Sequence, residues 1–107
     1  LFLDNELNVR RFTEKARKII ALRDSDIGRR LGDLTSQLEY ADLQADVQEM
    51  LRTLVVSEKQ IHSRDGHWYA VRVMPYRTHD DMIQGAVITF VDITATKELE
   101  ARLRAGG

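Results

Sequence analysis

"GAVITFVDITATKELE", Gly85 to Glu100, carries the sharpest change of pattern in the chain. Up to Ile93 the residues alternate as in an extended strand, with Ala86, Ile88 and Phe90 on one side and Val87, Val91 and Ile93 on the other. Both sides are therefore apolar. Antiparallel strands ordinarily face water on one side, so this one calls for two covers, helices on one face and something further on the other. At Asp92-Ile93-Thr94 the alternation stops, and Lys97, Glu98, Leu99 and Glu100 open a helical pattern. Thr94 is placed to cap that helix with its hydroxyl, and Asp92 to put negative charge where the helix dipole favours it.

Working back toward the N-terminus, two more strands precede this one, about Val56 to Ser63 and His67 to Tyr76, with the last strand spanning about Gln84 to Ile93. "RDGH" joins the first pair. A two-residue Asp65-Gly66 turn would set Ile61 opposite Ala70, whereas a three-residue loop with Gly66 left-handed sets Ile61 opposite Tyr69. The second register gathers Ile61, Tyr69, Val71 and Val73 on one face and sets Glu58 opposite Arg72 on the other, so it is preferred. Leu43, Val47, Met50, Leu51 and Leu54 mark an amphipathic helix from Ala41 to Leu54. Further back, "LFLD" and "NVRRF" read as a first hairpin, followed by a helix from Glu14 to about Leu22 that Thr13 caps and that turns Ala16, Ile19 and Ile20 inward. Gly28 and Gly32 break the stretch between the two helices into short helical turns, capped by Ser25 or Asp26. Two strands, short helices and three strands make an α+β domain: a five-stranded antiparallel sheet with short helices on one face and a C-terminal exit helix.

Composition narrows the function classes. At 107 residues the chain is one domain, and 16 basic residues nearly cancel 17 acidic ones, leaving no strong field to draw nucleic acid. No apolar stretch reaches the roughly 20 residues of a membrane helix, so a cytoplasmic location is expected. With no cysteine, disulfides, thiolate metal sites and cysteine nucleophiles are excluded. A first residue that is Leu, and an end in helical sequence, suggest a piece of a longer protein.

Several stretches resemble the PAS domain, a sensory module common in histidine kinases and other signalling proteins. "LDNELNVRRFTEKARKII" stands at the first hairpin and helix, "DIGRRLGDL" in the middle, "RDGHWYAVRVMPYR" in the third and fourth strands, and "GAVITFVDITATKELE" at the last strand and exit. "WYAVRVMPYRT" is similar to the PAS domains of chemotaxis methyltransferase–methylesterase fusion proteins with kinase modules. The resemblance implies a sensory domain over 1–94 and the start of a signalling helix over 95–107. It also implies a pocket between sheet and helices, with Tyr40, Ile61, Tyr69, Val71, Val73, Ile88 and Phe90 as the candidate lining. Asp92 and Thr94 are the candidate relay. Trp68, Arg72 and Met74, facing outward, are candidates for a homodimer face, and Trp68 reads equally well as lying under a terminal helix. A downstream signalling domain in the same chain, of kinase or chemotaxis type, is the implied partner. Leu99 and Leu103, four apart, could begin a coiled-coil seam.

Other chemistry is weaker. Without cysteine, the photochemical flavin adduct of light-sensing PAS domains is excluded. Haem would need an axial ligand on the helical side, and His62, His67 and His79 fall on or beside strands and loops, where each reads as a surface residue. They also lack metal-site spacing. A noncovalent small ligand stays open, as does a closed core serving protein–protein interaction alone. Asp80-Asp81 reads as a solvated turn, and Ser25, Ser36, Ser57 and Ser63 lack a nucleophile-elbow context. Strand alternation sends Arg10 and Arg11 to opposite faces, which divides the one basic cluster. A non-catalytic module is expected.

Overall fold

The computed structural model describes residues 1–20, 22–33, 42–63, 66–78, 80 and 82–106. In chain order these form β1 (Phe2–Asp4), β2 (Val9–Arg11), α1 (Glu14–Ile20), 3₁₀ turns at Asp24–Asp26 and Leu31–Asp33, α2 (Leu43–Thr53), β3 (Ser57–His62), β4 (Trp68–Arg77), β5 (Ile83–Asp92) and α3 (Thr94–Gly106). The strands make one antiparallel sheet in the order β2-β1-β5-β4-β3, so β5 is central. The α+β architecture with a five-stranded sheet is as expected.

Register follows the pattern of the side chains. Ile61 pairs with Tyr69 and Glu58 with Arg72, and Gly66 has φ of +90°, the left-handed conformation the longer loop demands. The Ser63 N–H donates to the His67 carbonyl at 2.8 Å and closes the loop. Across the next pair, Val71 faces Phe90 and Val73 faces Ile88. These four join Ile61, Tyr69, Val9, Leu3 and Ala86 in a core that α1 closes with Ala16 and Ile20, and α2 with Leu43, Val47 and Met50. Burial at one face of the sheet and one stripe of each helix is what the period-2 and period-3.6 patterns require.

Local signals held with three corrections. Thr13 caps α1, its hydroxyl accepting from the Ala16 N–H at 3.2 Å. The 3₁₀ turn at Asp24 is flanked by Arg23, and Asp26 reaches back to accept the Arg23 N–H at 2.8 Å; neither Ser25 nor Asp26 is the N-cap. Leu54 leaves the apolar stripe: it ends α2 in the left-handed conformation, φ 60°, and is exposed. Val55 and Val56 are also exposed, and β3 starts only at Ser57. The third correction concerns Thr94 and is described with the exit.

The first hairpin is tied to the sheet by backbone proximity. Asp4 lies opposite Gly85, and a Cβ on Gly85 would stand 1.8 Å from the Leu3 carbonyl oxygen. Only glycine admits that approach. The free edge of β2 is covered by the segment after α1: Val9 N–H donates to Arg29 O at 2.8 Å and Gly28 N–H to Val9 O at 2.7 Å.

Candidate functional site

Of the candidate pocket residues, Ile61, Tyr69, Val71, Val73, Ile88 and Phe90 are all buried on the helix-covered face, as their strand parity requires. Tyr40 lies outside the described residues. Val71, Val73 and Ile88 are at most 1% exposed and are packed within the core. Ile88 and Phe90 also border a cleft of about 270 Å³, shared with Leu1 just before β1, with Thr13 just before α1 and with Ala16 of α1.

The opposite face is a half-exposed apolar surface. Trp68, Ala70 and Met74 of β4 and Val87 of β5 are partly buried, Tyr76 is exposed, and Val91 is 52% exposed. Arg72 projects into solvent opposite Glu58 on one side and Thr89 on the other. At its far end Phe2 meets Tyr76 edge to face, rings 5.8 Å apart, with the Arg11 guanidinium over the Phe2 ring. Arg10 instead pairs with Asp4 at 2.8 Å, so the two arginines part as alternation predicts. The described residues supply one of the two covers that β5 calls for, leaving most of the outer face open apart from the start of α3.

That contact sits at the exit. The Trp68 indole stacks on His62, centroids 4.7 Å apart, and the Lys97 ammonium lies 5.0 Å from the centre of the Trp68 ring. A cation over an indole face is attracted by the ring quadrupole. Trp68 is therefore under the first turns of α3 in this chain, the arrangement that competed with its reading as a dimer anchor.

Beside it, a small polar network fastens β5 to α3. The Thr94 hydroxyl accepts from the Trp68 N–H at 3.0 Å and donates to Asp92 Oδ1 at 2.6 Å. The same carboxylate oxygen accepts the Thr94 N–H at 2.9 Å. Helical bonding begins with Lys97 N–H to the Ile93 carbonyl at 2.9 Å. Asp92 stands at the helix N-terminus as expected and accepts a backbone N–H there, whereas Thr94 is not the cap: it is the first helical residue, and its hydroxyl serves β4 and Asp92. The cause is geometric, because Asp92 pairs with Tyr69 at the last rung of the ladder and its side chain can fold forward as an Asx turn.

Asp92 Oδ2 lies 3.2 Å from His67 Nδ1, and Thr94 Oγ1 lies 3.4 Å from the same nitrogen. The Thr94 hydroxyl and then the Thr94 N–H hold the Asp92 carboxyl below the usual carboxylate range; burial opposes them and His67 adds to them. The His67 ring in turn stacks near Tyr69, centroids 6.1 Å apart. The inner row Ile88, Phe90, Asp92 thus runs from the core directly into the exit network, with Tyr69 and His67 alongside. Sequence reasoning placed Asp92 and Thr94 at the junction and missed His67 and Lys97. The signal for His67 was available in the register: it stands two residues before Tyr69, on the same face and opposite the end of β5.

Past this network α3 stands clear of the sheet. Leu99 is 55% exposed and Leu103 67% exposed. No described helix is long and apolar enough to cross a membrane, and the described residues hold no group of three or more metal-ligating side chains.

Comparison with known proteins identifies the architecture. The chain is 43% identical over 100 residues to an uncharacterised 104.1 kDa protein from the hypE 3' region of Rhodobacter capsulatus, a match covering 94% of this chain and 10% of that protein. The chain thus spans about a tenth of the length of the curated relative it matches. Among solved structures, the PAS domain of the histidine kinase ThkA superposes with a TM-score of 0.72 at 18% identity, covering 86% of this chain and 95% of that one. VqmA of Vibrio cholerae, in a complex with ligand and DNA, superposes with a TM-score of 0.68 at 21% identity, covering 87% and 45%. At these identities the likeness is one of fold. The family profile described as PAS domain matches residues 1–94, and on that match the chain belongs to the PAS domain family, a family of non-catalytic sensory and interaction modules.

Proposed function

We propose that this PAS domain, residues 1–94, senses a state of its inner face or of its outer interface and relays it through the helix beginning at residue 95 to a downstream signalling domain of kinase or chemotaxis type. The observation that carries the reading is the exit network. A buried row ending at Phe90 continues without interruption into Asp92, which holds the first turn of α3, and Thr94 ties the same turn to β4. A shift of either strand therefore changes the support of the helix that leaves the domain. The half-exposed outer face around Met74, Val87 and Val91, with Leu99 and Leu103 bare on α3, fits association with a second copy, Trp68 lying at its border and Arg72 within it between Met74 and Ala70. The partners named for structurally similar proteins point to signalling outputs of more than one kind, a histidine kinase in one case and a DNA complex in the other. A kinase-type output accords with the resemblance around Trp68 to Arg77.

Asp92→Ala in the chain joined to its output domain tests the relay. The expected result is an altered output level with the domain still folded by circular dichroism; an output identical to wild type overturns the relay role of Asp92.

A second reading is supported by the near-complete burial of Val71, Val73, Ile88 and Met50, which favours a closed core that binds proteins and no small molecule. Absorbance of the purified chain, followed by mass spectrometry after denaturation, separates the two. A retained noncovalent small molecule supports the sensor, and an empty, colourless domain supports the interaction module.

A further inference from the structure

The exit network contains one group that the relay does not need for geometry. Thr94 and Asp92 already bond each other, the Trp68 N–H and the helix N-terminus. His67 adds a titratable ring to the second oxygen of the same carboxylate. We infer that His67 is a proton-operated latch on the first turn of α3: protonated, it bridges to Asp92 and holds the carboxylate against the helix start, and neutral, it loosens that hold. The inference rests on the relay reading of Asp92 and Thr94 and specifies how that same junction is regulated.

The electrostatics favour this sign. A neutral imidazole can offer Asp92 Oδ2 only a neutral donor or, in the other tautomer, a lone pair; an imidazolium offers a charge-assisted bond, roughly twice as strong. A cation near a helix N-terminus is ordinarily unfavourable. Here the carboxylate stands between, Oδ1 toward the Thr94 N–H and Oδ2 toward the ring, so the pair contact at 3.2 Å outweighs the dipole. Other groups that face His67 include the Thr94 hydroxyl on α3 and the Tyr69 ring on β4. Nearby on the outer face stand His62, stacked on Trp68, and Lys97, over the same indole and 3.6 Å from Glu100. Arg64 and Asp65 precede His67 in its loop and lie outside the described residues. Side-chain exposures of 48% for His67 and 41% for Asp92 limit the effect through solvent screening. Histidine is the side-chain type whose ordinary charge change falls between about pH 5 and 8, so that is the interval to scan.

The test is amide exchange and amide-proton NMR on the 107-residue chain from about pH 8 to about pH 5.5. After correction for intrinsic exchange, protection of the Lys97 amide should rise about two- to fivefold as the pH falls, as for an exposed ion pair. The Thr94 amide shift should follow the His67 ring with the same midpoint. His67→Gln and Asp92→Asn should each flatten both curves, and His62→Gln should leave them intact. A flat wild-type profile overturns the latch, as does a dependence that survives His67→Gln or disappears only in His62→Gln. Failure of the relay reading shows elsewhere, as unchanged output in Asp92→Ala, and is independent of these exchange curves.

Discussion

Thr94→Val removes a hydroxyl while keeping the shape and β-branching of the side chain. The hydroxyl accepts the Trp68 N–H at 3.0 Å and donates to Asp92 at 2.6 Å. In the variant the Trp68 N–H has no protein acceptor, and Asp92 keeps only the Thr94 backbone N–H and His67. Leaving a buried donor unpaired costs about 1–3 kcal/mol. Trp68 is half-buried and water can reach the site in part, so about 1–2 kcal/mol is the expected loss. Because the network joins only α3 to the sheet, that loss falls first on the helix start. Protection of the Lys97 and Glu98 amides should drop about five- to thirtyfold, at 1.4 kcal/mol per factor of ten. The core between α2 and the sheet is untouched, so global stability should fall by less. Unfolding entropy of about 2.1 cal/mol/K per residue gives a 107-residue chain about 4–5 °C of Tm per kcal/mol. Tm should therefore move by no more than about 9 °C, and Thr94→Ser should restore both readings. Unchanged α3 protection in Thr94→Val, with Trp68 still in place, would refute the claim that this hydroxyl fastens the helix.

Gly85→Ala should destabilise the domain by about 1–3 kcal/mol in urea and release β1 from β5, because its Cβ would meet the Leu3 carbonyl at 1.8 Å; a wild-type denaturation midpoint contradicts this. Asp4→Ala removes the acceptor for the Glu6 and Asn8 N–H groups and for Arg10. It should cost about 1–3 kcal/mol and loosen the turn where Leu7 sits at φ 65°, read as lost protection of the Asn8 amide. Acid should weaken the fold in a defined window. Burial raises the Asp4 carboxyl, but the Asn8 N–H and Arg10 outweigh it and hold it low; the Arg23 N–H and Arg29 do the same for Asp26, and Thr94 for Asp92. Folded values below the ordinary 3.8 mean stability fully present above that pH and lost as the pH falls through the folded values. A chevron or melt series that is flat from about pH 5 to about pH 2 contradicts this sign.

The elements with a strong period were legible in the chain. Burial alternates residue by residue from Trp68 to Met74 and from Ala86 to Phe90, and the choice between two loop lengths at Gly66 was settled by requiring Ile61, Tyr69, Val71 and Val73 to share a face. Leu43, Val47 and Met50 marked α2 in the same way. Its end was not legible, since Leu54 fits the stripe, and only the left-handed conformation there takes it out. The candidate site divided along similar lines. Inward residues follow from strand parity, but a hydrogen bond across a junction depends on where the last rung falls. The contacts of His67 with Asp92 and of Lys97 with Trp68 span 25 and 29 positions in sequence, so they follow from the strand register and not from any local pattern.

The most direct test of the relay is a double-mutant cycle between Phe90 and Asp92, read at α3. Phe90→Leu perturbs the buried row without charge, and amide exchange at Lys97 and Glu98 reports the helix start. The account predicts that Phe90→Leu changes that protection in the wild-type background and has little effect once Asp92→Ala has cut the connection. An equal change in both backgrounds, or none in either, would contradict it.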